Sequence, residues 1–472
     1  MKHMMRPTIL ERSMWLCALI ACGLFQEGLL ANESEIRPNI LFLLVDDQRN
    51  DTLGCAGHPI LQTPAIDRLA SEGLRFENAF VTTSICAASR ASIFTGLHER
   101  THGYTFNKPP LRREHMLASY PALLRKSGYR TGFIGKYGVE TEGKPESMMF
   151  HVFRTHGRNP YLKQLPDGSL RHETEIAADR AIEFLAGNPK AQPFCLSVSF
   201  NAVHAEDGDH EDHYPWPKSV DNMYENAEIP APRLSDPAVF AGHPDFLRKS
   251  MNRQRYHWRW DTPEKYEKNM KAYFRMISGV DHEIGRICDA LERLGFSENT
   301  VIIYMGDNGY YMGERGFAGK WTHYDESLRV PLIVYDPRLP LEERGKVMDQ
   351  MVLNIDAPAT MLELAGVEVP KSYQGRSLLS FVAGEPVPDW RTYFFCEHLM
   401  EHAALPQWEG IRGERFVYAR YFGQNPVYEF LHDLKTDPDQ LVNLTSNPEY
   451  KEVLSRMQKR VHTLKTAYAE TQ

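Results

Sequence analysis

The sequence predicts an α/β protein: a large mixed, mostly parallel sheet flanked by helices, followed by a smaller C-terminal antiparallel α+β subdomain. Three observations carry that prediction. Near-continuous apolar runs recur along the first 340 residues, amphipathic helical patterns lie between them, and the texture changes to short alternating strands near residue 389.

The runs are NILFLLV (39–45), TGFIG (131–135), FCLSVSF (194–200), TVIIYMG (300–306) and VPLIVYD (330–336). Apolar runs without alternation suit parallel strands buried on both faces. Between the third and fourth, residues 268–295 place Met270, Phe274, Ile277, Ile284 and Leu291 at three- and four-residue spacing, and Gly295 can close that helix. Strands alternating with helices imply a sheet covered on both sides. After residue 389, TYFFCEH, GERFVYARYF and VYEFLHDL read as antiparallel strands, and a last helix is expected over about 448–468.

The whole sequence is consistent with this. At 472 residues the chain can bury a large core and is expected to hold two or three domains. Its 42% apolar and 25% charged residues are ordinary for a globular enzyme, and a net charge of -8 argues against a nucleic-acid binder. Lys2 and Arg6 precede the short apolar stretch MWLCALIACGLF, so residues 1–31 read as a secretory signal. A cut near Ala31 is preferred; lipidation at Cys22, after LIAC, is the alternative. The protein is expected to be exported, periplasmic or secreted, with no transmembrane segment. A catalytic domain is placed at 38–388 and the antiparallel subdomain at 389–472. Residues 205–265, rich in His, Pro, Trp and charge, read as a long functional or disordered excursion.

Seven cysteines include two in the signal and leave Cys55, Cys86, Cys195, Cys288 and Cys396. An odd number with no C-x-x-C pair argues against a disulfide framework or zinc site and leaves room for one working thiol. Polar clusters follow the first four runs: Asp46–Asp47, Lys136 in GKYG, His204 in NAVHA, and Asp307–Asn308 in GDNG. Ligands of open α/β sheets bind outside the carboxyl ends of the strands, so these clusters are expected to meet on one rim. Asp46, Asp47, Asp307 and Asn308 form an oxygen-only set of the kind a hard cation such as calcium takes.

The stretch SICAASRASIFTG (84–96) resembles the type I sulfatase signature C-x-[PA]-x-R. PNILFLLVDD, TPAIDRLASEGLRFENAF, GDNGYYMGERG, GKWTHYDESLRVPLIV and DLKTDPDQLVNL extend that resemblance along nearly the whole chain after the signal. It implies an alkaline-phosphatase-like fold and is closest to bacterial exported polysaccharide or glycosaminoglycan sulfatases. In that family the cysteine becomes formylglycine (3-oxoalanine), made by a formylglycine-generating enzyme or an anaerobic sulfatase maturase. The resemblance implies a Ca2+ ion held by Asp46, Asp47, Asp307, Asn308 and the modified Cys86. It makes Arg90 the partner of the formylglycine hydroxyl, Lys136 and Lys320 clamps on the sulfate oxygens, and His204 the acid for the leaving oxygen.

Two positions depart from the family pattern. Gly138 stands where the family has a histidine after its G-K-W, for which His323 or His102 would substitute, and the proline before His204 is missing. Residues 248–260 offer Arg255, Trp258 and Arg259, with His323, as contacts for a sulfated saccharide; an ordinary basic surface loop is the competing reading. Expected activity is hydrolysis of a sulfuric ester on sulfated carbohydrate. The alternatives are a phosphodiesterase, phosphonate monoester hydrolase or arylsulfatase of the same superfamily, and a catalytically inactive protein that binds sulfated glycans.

Overall fold

The structure, a computed structural model, describes residues 37–106 and 108–470. The signal expected at 1–31, with Cys17 and Cys22, lies outside them. Eight strands form the main sheet: β1 (Asn39–Val45), β2 (Leu74–Phe76), β3 (Arg130–Gly135), β4 (Val152–Thr155), β5 (Phe194–Phe200), β6 (Thr300–Gly306), β7 (Leu332–Tyr335) and β8 (Lys346–Met348). Their order is β8-β2-β7-β6-β1-β5-β3-β4.

Strand β1 shows why an unbroken apolar run is needed at the centre. All seven of its residues are buried. Ile40, Phe42 and Leu44 enter one core, and Leu41, Leu43 and Val45 enter the other. Period-two alternation sends successive side chains to opposite faces, and both faces are covered. Helix α1 (Pro64–Glu72) and helix α2 (Cys86–Thr95) belong to opposite cores: Ile66 and Leu69 pack in one, Ala91 and Phe94 in the other. Helix α3 (Glu173–Ala186) shares the α1 side.

One expected parallel strand runs the other way. The VPLIVYD run becomes β7, which pairs antiparallel with β6 on one side and β2 on the other. Parallel neighbours need a crossover back to the starting end. The connection from Gly306 to Leu332 contains only one short α-helix, Asp325–Leu328, and keeps Asp307 and Lys320 at the carboxyl end of β6. The chain therefore re-enters the sheet from that end.

Residues 205–265 are ordered, contrary to a purely loop-like reading. They include short helices at Pro237–Ala241 and Asp245–Arg248, and helix α4 (Met251–Arg259). Asn252 anchors α4 by donating to the Ala318 and Lys320 carbonyls at 3.1 and 2.6 Å. Helix α5 follows as Pro263–Arg293, beginning five residues before the expected pattern, with Thr262 capping the Lys265 amide at 3.2 Å.

The C-terminal sheet is an antiparallel meander of four strands: β9 (Tyr393–His398), β10 (Trp408–Gly413), β11 (Phe416–Tyr421) and β12 (Tyr428–Asp433). Strand β10 was hidden because WEGIRG carries little alternation. Helix α6 (Lys451–Glu470) covers one face through Met457 and Val461 against Phe395, Ile411, Tyr418 and Leu431. Phe394, Cys396, Ala419 and Phe430 face the main core. Among the described residues, no helix is long and apolar enough to cross a membrane.

Candidate active site

Four adjacent parallel strands, in the order β6-β1-β5-β3, end on one rim. Asp307 follows β6, Asp46 follows β1, Lys136 follows β3, and His204 lies four residues past β5. Cys86 is the first residue of α2, after Ile85 in extended conformation. All ten residues of α2 are buried, which points the helix start, with its unpaired N–H groups, into the rim rather than into solvent.

Arg90 lies one turn beyond Cys86 on the same helix face. Its Nε donates to Asp307 Oδ2 at 2.8 Å, and its Nη1 donates to the Lys136 carbonyl at 2.7 Å and to Ser199 Oγ. Its Nη2 is buried without a partner. Lys136 pairs with Asp46 and Lys320 with Asp47, and the second pair is almost fully buried. Burial works against the Asp46 carboxylate, but Lys136, Arg90 and Lys320 outweigh it and hold its pKa at about 2. Asp307 goes the other way: burial and the charge on Asp46 push it up to about 6. Burial also opposes the Lys320 ammonium, yet the surrounding carboxylates, Asp47 foremost, raise its pKa above the ordinary value.

The carboxylates converge. Asp307 Oδ1 accepts the Asp47 amide at 3.2 Å, and Asn308 Nδ2 donates to Asp47 Oδ1 at 2.7 Å. Asp46 Oδ1, Asp47 Oδ2 and Asn308 Oδ1 are buried with no hydrogen-bond partner. Buried oxygens, two of them on carboxylates, are expensive to leave unpartnered. A hard cation would satisfy all three, so the donor chemistry fits calcium. Ligand atoms of Asp46, Asp47 and His204 all lie within 4.8 Å of one another, which brings one imidazole to the edge of the oxygen set.

His204 Nε2 is 3.5 Å from Asp47 Oδ2, and its Nδ1 is 2.8 Å from the Ala205 carbonyl. A carbonyl can only accept, so Nδ1 carries the proton and Nε2 faces the site as the bare nitrogen. Burial first, then the charges of Arg158, Lys320 and Lys136, hold its pKa well below the usual histidine range. The ring is neutral before an anion binds.

Above the rim opens a cleft of about 610 Å3. Cys86, Lys136, His204 and Lys320 line its floor, and Arg158, Asp207, Arg255 and Trp321 line its wall. The loop after β9 adds Met400, His402 and Leu405. Arg255 is therefore at the cleft, as its place among the aromatics suggested. Three other expected contacts are not. Arg259 is fully buried and pairs with Asp207 from within. Trp258 lies against His210, 5.3 Å between ring centroids, and does not line the cleft. His323 is buried against Tyr421 and His432 at 2.9 and 3.3 Å.

His323 and His102 also fail as substitutes for the missing family histidine, since neither lines the cleft; His102 Nε2 is 3.0 Å from Ser92 Oγ. Position 138 itself has no room. Gly138 has φ of +73°, and a Cβ there would stand 2.7 Å from Arg90 Cδ. Sequence reasoning missed Arg158, Asp207, Trp321 and the 400–405 loop as cleft residues. Arg158 lies three residues past β4, a short strand the apolar runs did not reveal, and Met400 two past β9; the one signal the sequence offered was Asp207, three residues after His204.

A carboxylate-lined rim over a parallel sheet, with a helix start facing it, defines a site suited to a hard cation and an anion side by side. Residues 38–367 match the family described as Sulfatase, and residues 313–467 match one described as N-sulphoglucosamine sulphohydrolase, C-terminal. The chain belongs to the sulfatase family and is an enzyme of that class. It is 28% identical over 477 residues to an N-acetylglucosamine-6-O-sulfatase of Bacteroides thetaiotaomicron, covering 89% of this chain and 84% of the relative. An arylsulfatase of Clostridium perfringens is 29% identical over 470 residues, covering 90% and 93%. In fold the chain is similar to a structure solved with its substrate D-glucosamine-2-N,6-O-disulfate, at TM-score 0.78, 24% identity and 92% and 98% coverage. It is also similar to a phosphonate monoester hydrolase of Agrobacterium radiobacter, at TM-score 0.77, 22% identity and 92% and 96% coverage.

Proposed function

We propose that this sulfatase removes sulfate from a sulfated saccharide, with Cys86 converted to formylglycine and a calcium ion held by Asp46, Asp47, Asp307 and Asn308. The observation that carries the reading is the meeting of Cys86, the buried Lys320, the part-buried Lys136 and three unpartnered buried oxygens on one rim. The sugar substrate is supported by the N-acetylglucosamine-6-O-sulfatase relative and by a cleft wide enough to admit a sugar ring.

Formylglycine at position 86 would supply a hydroxyl nucleophile in its hydrated form, and a calcium ion held by Asp46, Asp47, Asp307 and Asn308 would favour its deprotonation and offset charge on the sulfate oxygens. Arg90 Nη2 holds the hydroxyl, and the first-turn amides of α2 favour the anionic form. Lys136 and Lys320 neutralise charge growing on the sulfuryl oxygens. An incoming sulfate ester adds negative charge that works against the burial and the cations depressing His204, so Nε2 takes a proton from solvent water and hands it to the leaving oxygen. His204 stays outside the metal set in this reading, because its Nε2 is the proton-handling atom.

The maturing partner is a formylglycine-generating enzyme or an anaerobic maturase, and the chain is exported through its first 31 residues. The test is production of the full chain with a formylglycine-generating partner, mass analysis of the Cys86 peptide, and sulfate release from defined saccharides. An intact thiol in active protein overturns the nucleophile. The likeness to a phosphonate monoester hydrolase favours one competing reading, phosphonate hydrolysis. Faster turnover of an aryl phosphonate than of any sulfate ester would establish it.

A further inference from the structure

The wall of the cleft carries more positive charge than its own contacts neutralise. Three guanidinium groups converge on one carboxylate, Asp207. Arg259 pairs with it from the buried side, Arg255 Nη2 reaches Oδ2 at 2.9 Å, and Arg158 Nη2 reaches the same oxygen only at 3.6 Å. One carboxylate cannot balance three cations, and Arg259, fully buried, has first claim on it. Arg158 and Arg255 both line the cleft, and the Nε of each is buried without a hydrogen-bond partner.

These two arginines are not the scissile-sulfate clamp. Lys136, Lys320 and Arg90 already surround Cys86 and are each paired with a rim carboxylate. Arg255 is held in place by its bond to Asp207 and by the Trp321 ring, 4.8 Å from its guanidinium carbon. A planar, braced guanidinium with free donors suits an oxyanion better than a hydroxyl.

We propose that Arg158 and Arg255, braced by Asp207, form a second anion subsite, which takes a further oxyanion on the saccharide that carries the scissile sulfate. That oxyanion is a second sulfate or a uronate carboxylate. The inference rests on the sulfated-saccharide reading and narrows it: the substrate is at least doubly anionic.

The experiment is calorimetric binding to the full chain carrying Cys86→Ala, so that no probe is turned over. The probes are N-acetylglucosamine-6-sulfate, D-glucosamine-2-N,6-O-disulfate, and a disaccharide joining a uronic acid to a 6-sulfated N-acetylglucosamine. The second oxyanion is expected to tighten binding about tenfold or more, as hydrogen bonds between charged groups do. Arg255→Gln and Arg158→Gln, each added separately, are expected to remove most of that gain while the melting temperature holds. A gain with only one of the two dianions supports the subsite and identifies its ligand. Equal binding of all three probes, no binding of any, or a gain that survives both substitutions overturns it. Matured wild-type protein that releases no sulfate from any saccharide would instead overturn the parent reading, which is a separate measurement.

Discussion

The floor and the wall of the cleft are built differently. Every floor residue sits within four positions of a strand end, at or one turn beyond a helix start, or on the loop that follows β6. The two floor lysines, and Arg90 one turn beyond Cys86, are paired one to one with buried carboxylates: Lys136 with Asp46, Lys320 with Asp47, Arg90 with Asp307. The wall is drawn from segments far apart in sequence: Arg158 after β4, Asp207 after β5, Arg255 on α4, Trp321 before β7 and the 400–405 loop after β9. Its arginines share one carboxylate and keep unsatisfied donors. A floor balanced in this way stabilises one reaction geometry, whereas the wall keeps charge to spare for a ligand. In the proposed reading, chemistry belongs to the first and choice of substrate to the second.

The sharpest way to break this division is Cys86→Ala, which should abolish sulfate release and leave the melting temperature unchanged, since the side chain is only a short one at a helix start. Residual turnover would move the nucleophile elsewhere. Next, Lys320→Ala and Lys136→Ala should each lose on the order of 10²–10³ in kcat, with little change in KM, because they act on charge that develops in the transition state. A pure KM effect would reassign them to the wall.

Gly138→Ala tests whether the floor depends on backbone space. A Cβ there displaces Arg90, and about 10- to 100-fold in rate is expected to go with it. Gly138→His, the family residue, should be no better, and a rate gain would show that Arg90 can yield. Chelation should lower the melting temperature by a few degrees and calcium should restore it, as for any ligand bound only by the folded state. An unmoved melting temperature would leave the unpartnered oxygens without their cation.

The smallest effect concerns the seam that carries the wall's 400–405 loop. Burial pushes Glu397, on β9, up to about 7 against the opposing pull of Arg100, and Glu99 likewise stands well above the carboxylate range because of burial and Glu397. Both are protonated in the folded protein at mildly acid pH and would ionise near pH 4.5 when unfolded. Their stabilising contribution is present below about pH 4.5 and is lost as pH rises towards 7. The melting temperature should fall by a few degrees over that window, and Glu397→Gln should flatten the fall. A profile with the opposite slope would contradict the buried-carboxyl account.

Most of the floor could be read before folding was considered. An apolar run such as NILFLLV fixes a buried strand, and the polar pair after it must then lie at that strand's carboxyl end, whatever the neighbours do. Asp46, Lys136, His204 and Asp307 follow from four such local facts, and the α2 signature supplies Cys86 and Arg90 in the same way. The direction of β7 was not legible, because apolar content reports burial but not strand polarity. The loop-like reading of 205–265 failed for a related reason: α4 is fixed by Asn252 and its contacts to Ala318 and Lys320, which local periodicity does not record.

Sequence alone determined which residues are chemically equipped and that they share a rim, since both depend on patterns a few residues long. Only the tertiary structure decided which side chains reach the cleft. Trp258, Arg259 and His323 are as suited to a sugar as Arg255, yet Arg259 and His323 turn into the core and Trp258 lies against His210, while Arg158 and the 400–405 loop come forward. The physical reason is that exposure at a wall is set by long-range packing between segments hundreds of residues apart, and no local spacing encodes it.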